Sequence, residues 1–538
     1  AFAGLTAQLN VTAAGQFKYI PRSNSFNAAV TFPITNLNLS ASGLLIGKNT
    51  NTADISFGAA TTIAGPITAL GGNISVNQNL NTSGGAANGD VLLQAAGTIS
   101  IAPGISITTT GGDAILWSNR GDVTSGNTDH RILLGGGTSI TTAGGRLVLA
   151  GGLDTDSDGV PDGYAYSGSA GSTNNFWGAV NLGNVNSGNG QSTSLVSLSS
   201  GDGAMVIRGQ TGGLNGMPGV VAQQKLKLDA ALGQIKVNGL SSTGHGTVFS
   251  HGALADYSIT SSSISAPAIE LIGNSSKAGS TGLDLGSSGA GNYLIQSLAA
   301  SGGGITLTGS QSAATGNGIN NAANAYILSK EGTIRINGES SAGMLFNGNM
   351  RVGRSASAVT IAGAGVTSAV NTSSADVEIE ADRFSVTGVT VATKGEVVIQ
   401  PRSDDFAVTP PLGNYGFSID AASLTIGKTS SADGVSDVAV TIPNPISIDG
   451  PIKIYGSNLA LNGALTASNA DINLHASGNT TQTAALTANG LGLHGAGNFT
   501  LNNTSNKVVT IAGGNSTDKL GSLSFVDASG GLTIGSVN

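Results

Sequence analysis

Apolar and polar residues alternate in short runs along almost the whole chain. Val91-Leu92-Leu93, Ile99-Ser100-Ile101, Ile105-Ser106-Ile107, Lys225-Leu226-Lys227-Leu228, Ile305-Thr306-Leu307, Ile334-Arg335-Ile336 and Val377-Glu378-Ile379-Glu380 are examples. A period of two sends alternate side chains to opposite faces, so each run predicts a short strand with one buried face. Several runs begin directly after paired glycines, as in Gly71-Gly72-Asn73-Ile74, Gly111-Gly112-Asp113-Ala114-Ile115 and Gly144-Gly145-Arg146-Leu147. Glycine there supplies the backbone freedom of a sharp corner. No long stretch carries the i, i+3, i+4, i+7 spacing of a helix, which removes crossover helices and with them α/β folds.

Two all-β architectures remain, a parallel β-helix and tandem β-sandwich domains. An internal repeat favours the first. Gly15 to Phe26 (GQFKYIPRSNSF) recurs as Gly395 to Phe406 (GEVVIQPRSDDF), and the same offset carries Ile46-Gly47-Lys48 onto Ile426-Gly427-Lys428. After a shift that an insertion in a loop would produce, Gly65-Pro66-Ile67 matches Gly450-Pro451-Ile452 and Asn73 matches Asn458. Residues 1–394 therefore read as one repeat unit, and 395–538 as a partial second copy continuing the same solenoid. At ~22 residues and ~4.8 Å per coil, 538 residues predict on the order of 25 coils and a rod of about 120 Å. One segment, about 153–178, lacks the alternation and reads as a loop protruding from the rod.

Composition agrees with a thin core. Charged residues are 10% and aromatic residues 4%, while 83 residues are Gly. Such a chain cannot fill a broad layered core, but it can fill narrow rungs of Val, Ile and Leu joined by Gly and Asn turns. A hydrophobic content of 39%, regularly spaced, argues against disorder. The net charge of −8, with 22 Lys and Arg scattered along the chain, points away from nucleic acid and anionic membrane surfaces. No apolar run approaches the ~18 residues of a membrane span. The absence of cysteine excludes disulfides and thiolate metal sites without excluding secretion. The opening Ala1-Phe2-Ala3-Gly4, with neither Met nor a leader, predicts either a removed leader or a segment of a longer protein.

The strongest chemical signal is Asp154-Thr155-Asp156-Ser157-Asp158-Gly159-Val160-Pro161-Asp162. Carboxylates at alternate positions followed by a glycine suit a hard cation that takes six to eight oxygens, so Asp154, Asp156, Asp158 and Asp162 are candidate Ca²⁺ ligands. Ala165 stands where an EF-hand needs an acid. The DxDxDGxxD run instead resembles the calcium repeats of thrombospondin type 3 modules, in one copy and without their cysteines. An acidic solvated turn is the alternative.

Asn127-Thr128-Asp129, Gly244-His245-Gly246 and Arg335-Ile336-Asn337 resemble, in order, the NTD, GHG and RIK motifs of polygalacturonases, which are parallel β-helices. Inverting hydrolysis needs two carboxyl groups about 6.5–9.5 Å apart. The Asp-Asp that would supply them is missing from its place, since Asp404-Asp405 follows all three strings. At ~22 residues per coil the first two strings lie some five coils, roughly 25 Å, apart. Of His130, His245, His251, His475 and His494, only His245 and His251 are neighbours in sequence. No nucleophile elbow or P-loop occurs, and the chain reads as non-enzymatic. The twice-used Pro-Arg-Ser, at Pro21 and Pro401, reads as a structural corner or a recognition site. Threonine runs such as Thr108-Thr109-Thr110 are too irregular for an ice-matching face.

The Gly-Gly starts, the strand Leu424 to Lys428, Gly450-Pro451-Ile452 and the run Ile132 to Gly152 resemble large secreted bacterial exoproteins of the filamentous haemagglutinin-like kind. That resemblance implies a right-handed parallel β-helix that folds outside the cell and acts at the bacterial surface as an adhesin or fibre. The expected function is a structural or adhesive stalk or filament, with a carbohydrate-binding fibre or a polysaccharide-degrading enzyme as alternatives. Expected partners are a glycan or a host or cell-surface ligand. Leu532-Thr533-Ile534 reads as a buried strand, so the rod is expected either to continue in a longer chain or to stack end to end with copies of itself.

Overall fold

A strand with one apolar face is stable only when neighbours cover that face, and this chain provides them by winding. Strands Ile67–Gly71, Ile74–Val76 and Leu80–Thr82 turn through three faces before Val91–Ala95 returns beside the first. Like then sits on like: Ile67 is level with Val91, Ile74 with Ile99 and Leu80 with Ile107. In the computed structural model this continues as a 23-stranded first sheet and 12-stranded second and third sheets, with a separate 5-stranded sheet in the C-terminal part. The described residues are 7–538 apart from 83–88, 169–177, 185–192, 213–215, 224, 250–255, 287–290, 314, 347–349, 356, 369, 371, 387, 409, 411, 413–417, 429–437, 515–518, 529 and 538. Among them the one helical piece is the 3₁₀ turn Ala362–Ala364. The molecule is a parallel β-helix. Tandem antiparallel sandwiches are excluded, because among the described residues antiparallel pairing is confined to three short contacts, at Asp129–His130, at Gly151 with Gly163 and within the hairpin Val359–Ser368.

Corners keep the rungs level. At the corners an Asp or Asn side chain just before the strand accepts the backbone N–H of its counterpart one coil on, satisfying a donor that the turn removes from the ladder. Asp54 accepts from Asn73 at 2.8 Å across 19 residues, Asn73 from Thr98 across 25, and Asp113 from Arg146 across 33. Asp376 does the same for Glu396 across 20 residues. Coils are thus mostly longer than ~22 residues, and ~20 rungs at ~4.8 Å give about 90 Å of stack instead of 120.

In the five coils whose first-sheet strands run from Met205–Thr211 to Ile334–Glu339, the core is wide at one end of the rung and pinched at the other. Strand Met205–Thr211 points Met205, Ile207, Gly209 and Thr211 inward. The glycine position recurs in register as Gly239, Gly273, Gly309 and Gly338. There the first sheet meets the chain entering the second, backbone on backbone. A Cβ on Gly273 would lie 2.1 Å from the Gly282 carbonyl oxygen, and one on Gly309 2.1 Å from that of Gly318.

The strands aligned by the repeat occupy like places: Ile452–Gly456, Leu459–Leu461 and Leu465–Ala467 follow the same path as Ile67–Gly71, Ile74–Val76 and Leu80–Thr82. The Pro-Arg-Ser segments make the same turn, with Ser23 Oγ donating to Ser25 O at 2.7 Å and Ser403 Oγ to Asp405 O at 2.9 Å. Residues 532–534 differ from expectation. Thr533 and Ile534 pair with Thr510 and Ile511, yet Ile534 is 87% exposed because no rung covers its other side. Ala1–Gly4 lie outside the described residues.

Gly273→Val is expected to destabilise the fold by about 3 kcal/mol or more, or to prevent folding, because backbone faces the new side chain. Gly15→Ala, with nothing within 4 Å of the added carbon, is expected to stay within ~0.5 kcal/mol of the parent in urea unfolding. Equal midpoints for the two variants would contradict the pinched-core account.

Candidate metal centre

The acidic segment is a blister in one rung of the first sheet. Strand Leu147–Gly151 ends in Gly151 and Gly152, the chain departs, an antiparallel bridge joins Gly151 to Gly163, and the sheet resumes as Ala165–Ser167. Both ends of the blister lie on one strand of the next coil: Leu147–Leu149 pair with Met205–Ile207, and Ala165–Ser167 with Gly209–Thr211. The mouth of the loop is therefore fixed by sheet hydrogen bonds.

The loop leaves the path of the coil, as its sequence predicts, but then folds back on the rod. Val160 packs on an outer-face patch of Ile115, Trp117, Val148 and Ala150. Trp117 Nε1 donates to Gly152 O at 2.8 Å, Arg208 to Asp162 O at 2.7 Å, and Asn238 Nδ2 to the Tyr164 hydroxyl at 3.0 Å. The far part of the predicted insertion, including Trp177, lies outside the described residues.

Of the four predicted ligands the structure brings three together. Asp154, Asp156 and Asp162 each place a carboxylate oxygen within 4.8 Å of the other two. Asp158 is turned aside to Arg146, 2.8 Å away, and its other oxygen accepts Val160 N–H at 2.8 Å. Arg146 follows the Gly144-Gly145 corner, and it was the residue to weigh against Asp158 in the sequence. Backbone donors shape the ring: Asp154 accepts from Gly159 N–H at 3.0 Å and Asp162 from Thr155 N–H at 2.7 Å. The backbone hydrogen bond from Asp158 pulls the Asp156 carboxyl down. Desolvation, the charges of Asp158 and Asp162 and a shared hydrogen bond with Asp154 outweigh it, leaving Asp156 above the usual carboxylate range. Asp162 is held below that range, first by the Thr155 hydroxyl and then by the Thr155 N–H. Three crowded carboxylates on a pinned turn can supply a hard cation with part of its oxygen shell.

Comparisons with protein-family models, curated proteins and solved structures find no match to this chain. Function must be argued from geometry.

The polygalacturonase-like strings do not converge. Successive strings lie about three rungs, or ~14 Å, apart along the axis, fewer than five because the intervening coils are long. Each is engaged locally. Asp129 pairs with Arg131 at 2.7 Å and accepts the Ser167 hydroxyl at 2.9 Å. Arg335 pairs with Glu378 at 2.7 Å. His245 accepts Thr281 N–H on Nδ1 at 3.1 Å, and burial, helped by Lys277 and opposed by Asp284, holds its pKa below the ordinary value. His251 lies outside the described residues. The structure also joins two histidines that lie apart in sequence: Tyr455, His475 and His494 stack on consecutive rungs at 4.3 and 4.2 Å. Their one-coil spacing was the available signal.

Calcium at ten to a hundred times its dissociation constant is expected to stabilise the protein by about 1.4–2.7 kcal/mol, and Asp156→Asn to remove most of that gain, in calorimetric melts with and without chelator. An unchanged melt for the parent protein would dismiss the ion. A raised folded-state pKa means that the Asp156 contribution is present below its unfolded pKa and lost as pH rises through the folded one. Metal-free Asp156→Asn is therefore expected to be slightly more stable than the parent at neutral pH, and no more stable below the carboxylate range.

Proposed function

We propose that this chain is a non-enzymatic structural or adhesive protein of the bacterial cell surface or its surroundings, acting as a stiff stalk or filament with a calcium-ordered loop. The observation that carries this reading is the first sheet, whose hydrogen-bonded strands run from Leu9–Tyr19 to Thr533–Ile534. A stack held by so many parallel pairings resists bending and sets extent along its axis. The single acidic residue of the polygalacturonase-like strings, Asp129, is occupied by Arg131 and the Ser167 hydroxyl, which gives the degrading-enzyme reading no support. Secretion and the filamentous haemagglutinin-like assignment rest on the sequence resemblance. End-to-end stacking on another copy is part of this proposal, since a parallel ladder can pair with a further strand.

No described helix is long and apolar enough to cross a membrane. Small-angle scattering is expected to report an elongated particle with a cross-section far smaller than its length of about 90 Å. Length growing with concentration identifies end-to-end stacking, and a compact isotropic particle would defeat the stalk reading.

A further inference from the structure

Where the first sheet hands over to the second, consecutive coils leave a trough of about 470 Å³. One wall is a column of outward side chains, Gln210, Leu240, Asn274 and Ser310, level with one another through the sheet register. The corner residues Ser242, Ser276 and Ser312 form the other wall. Each donates its N–H one coil back, to Thr211, Ser241 and Ser275, at 3.0 to 3.1 Å, so a hydroxyl recurs once per coil. Thr124 and Ser125 close one end. Their loop is pinned by Tyr166 Oη donating to Gly126 O at 3.1 Å and by Gly168 N–H donating to Thr128 O at 2.9 Å.

The chemistry of the trough selects a ligand class. No lining residue is charged, so an ionic polymer would find no counter-charge. Amides and hydroxyls both donate and accept, as sugar hydroxyls do, and Leu240 offers one apolar spot for the C–H face of a pyranose ring. The coil rise of ~4.8 Å is close to the length of one pyranose in an extended β-linked chain, so one sugar meets one coil. We propose that this trough binds the terminal units of a neutral β-linked polysaccharide, with the chain end against Thr124 and Ser125. The proposal rests on the adhesive reading for its purpose and on the trough alone for its chemistry.

The test is isothermal titration of the whole protein with cellotetraose and chitotetraose and their shorter homologues, with a galacturonate tetramer as the ionic control. Affinity for a neutral series is expected to rise with each sugar up to four. Gln210→Ala and Asn274→Ala should each weaken tetramer binding roughly 3- to 10-fold, the worth of about one hydrogen bond. Ser312→Ala is a milder variant should either of these misfold by circular dichroism. Ser75→Ala, on the outer face of the second sheet, should change nothing. Saturable binding of neither neutral series, tighter binding of galacturonate, or equal losses in Ser75→Ala overturns the proposal. Scattering on the same samples separates the two readings: a rod without sugar binding removes the trough and keeps the stalk, and a compact particle that binds sugar does the reverse.

Discussion

Every rung is joined to its neighbours by backbone hydrogen bonds that exist only while equivalent residues stay level. A slip of one residue would turn each Val, Ile and Leu outward and each Ser and Thr inward. The Asp and Asn clamps at the corners make that slip costly, because a displaced coil leaves both an N–H and a carboxylate unpaired. The glycine column fixes each coil's own turn, since Gly273 faces the Gly282 carbonyl of the same coil. Register, more than any single contact, is what the sequence encodes repeatedly.

Length variation is therefore pushed into places that leave the register untouched. The acidic loop departs and returns within one rung and covers Ile115, Trp117 and Val148 on the outer face of the first sheet. The antiparallel hairpin Val359–Ile361 with Val366–Ser368 does likewise on the third sheet, where it packs over Leu294 and Leu328. Each excursion brings its own apolar residues to an outer patch. An insertion so anchored gains burial that a free loop lacks, and the patch beneath it is hidden from water.

Strand positions and inward faces were legible from period-two alternation, because one-sided burial writes that pattern directly. Coil length was not, since apart from the acidic segment, which loses the alternation, the excursions carry no local mark. The covered outer faces had a readable sign that alternation alone overlooks. Ala114-Ile115-Leu116-Trp117 and Leu147-Val148-Leu149-Ala150 are apolar at both parities, as strands buried on both sides must be. At the candidate site the motif located the turn and three clustered carboxylates. The diversion of Asp158 to Arg146, 12 residues back at the start of the same rung, depends on how the loop folds over its own strand, which the motif alone does not show. The stacking of His475 and His494 could be read only from their one-coil spacing, once coil length is known.

The clamps and ladders all join one coil to the next along the axis, so a pull on one end of the chain loads the terminal rung before any other. Such a molecule yields by peeling, coil after coil, with the remainder intact. A coil of 20 residues like that between Asp376 and Glu396 releases about 70 Å of extended chain, and the 33 residues between Asp113 and Arg146 about 115 Å. Uneven coil length thus becomes a graded series of mechanical steps, and a stack built this way dissipates work under load while most of its coils stay folded.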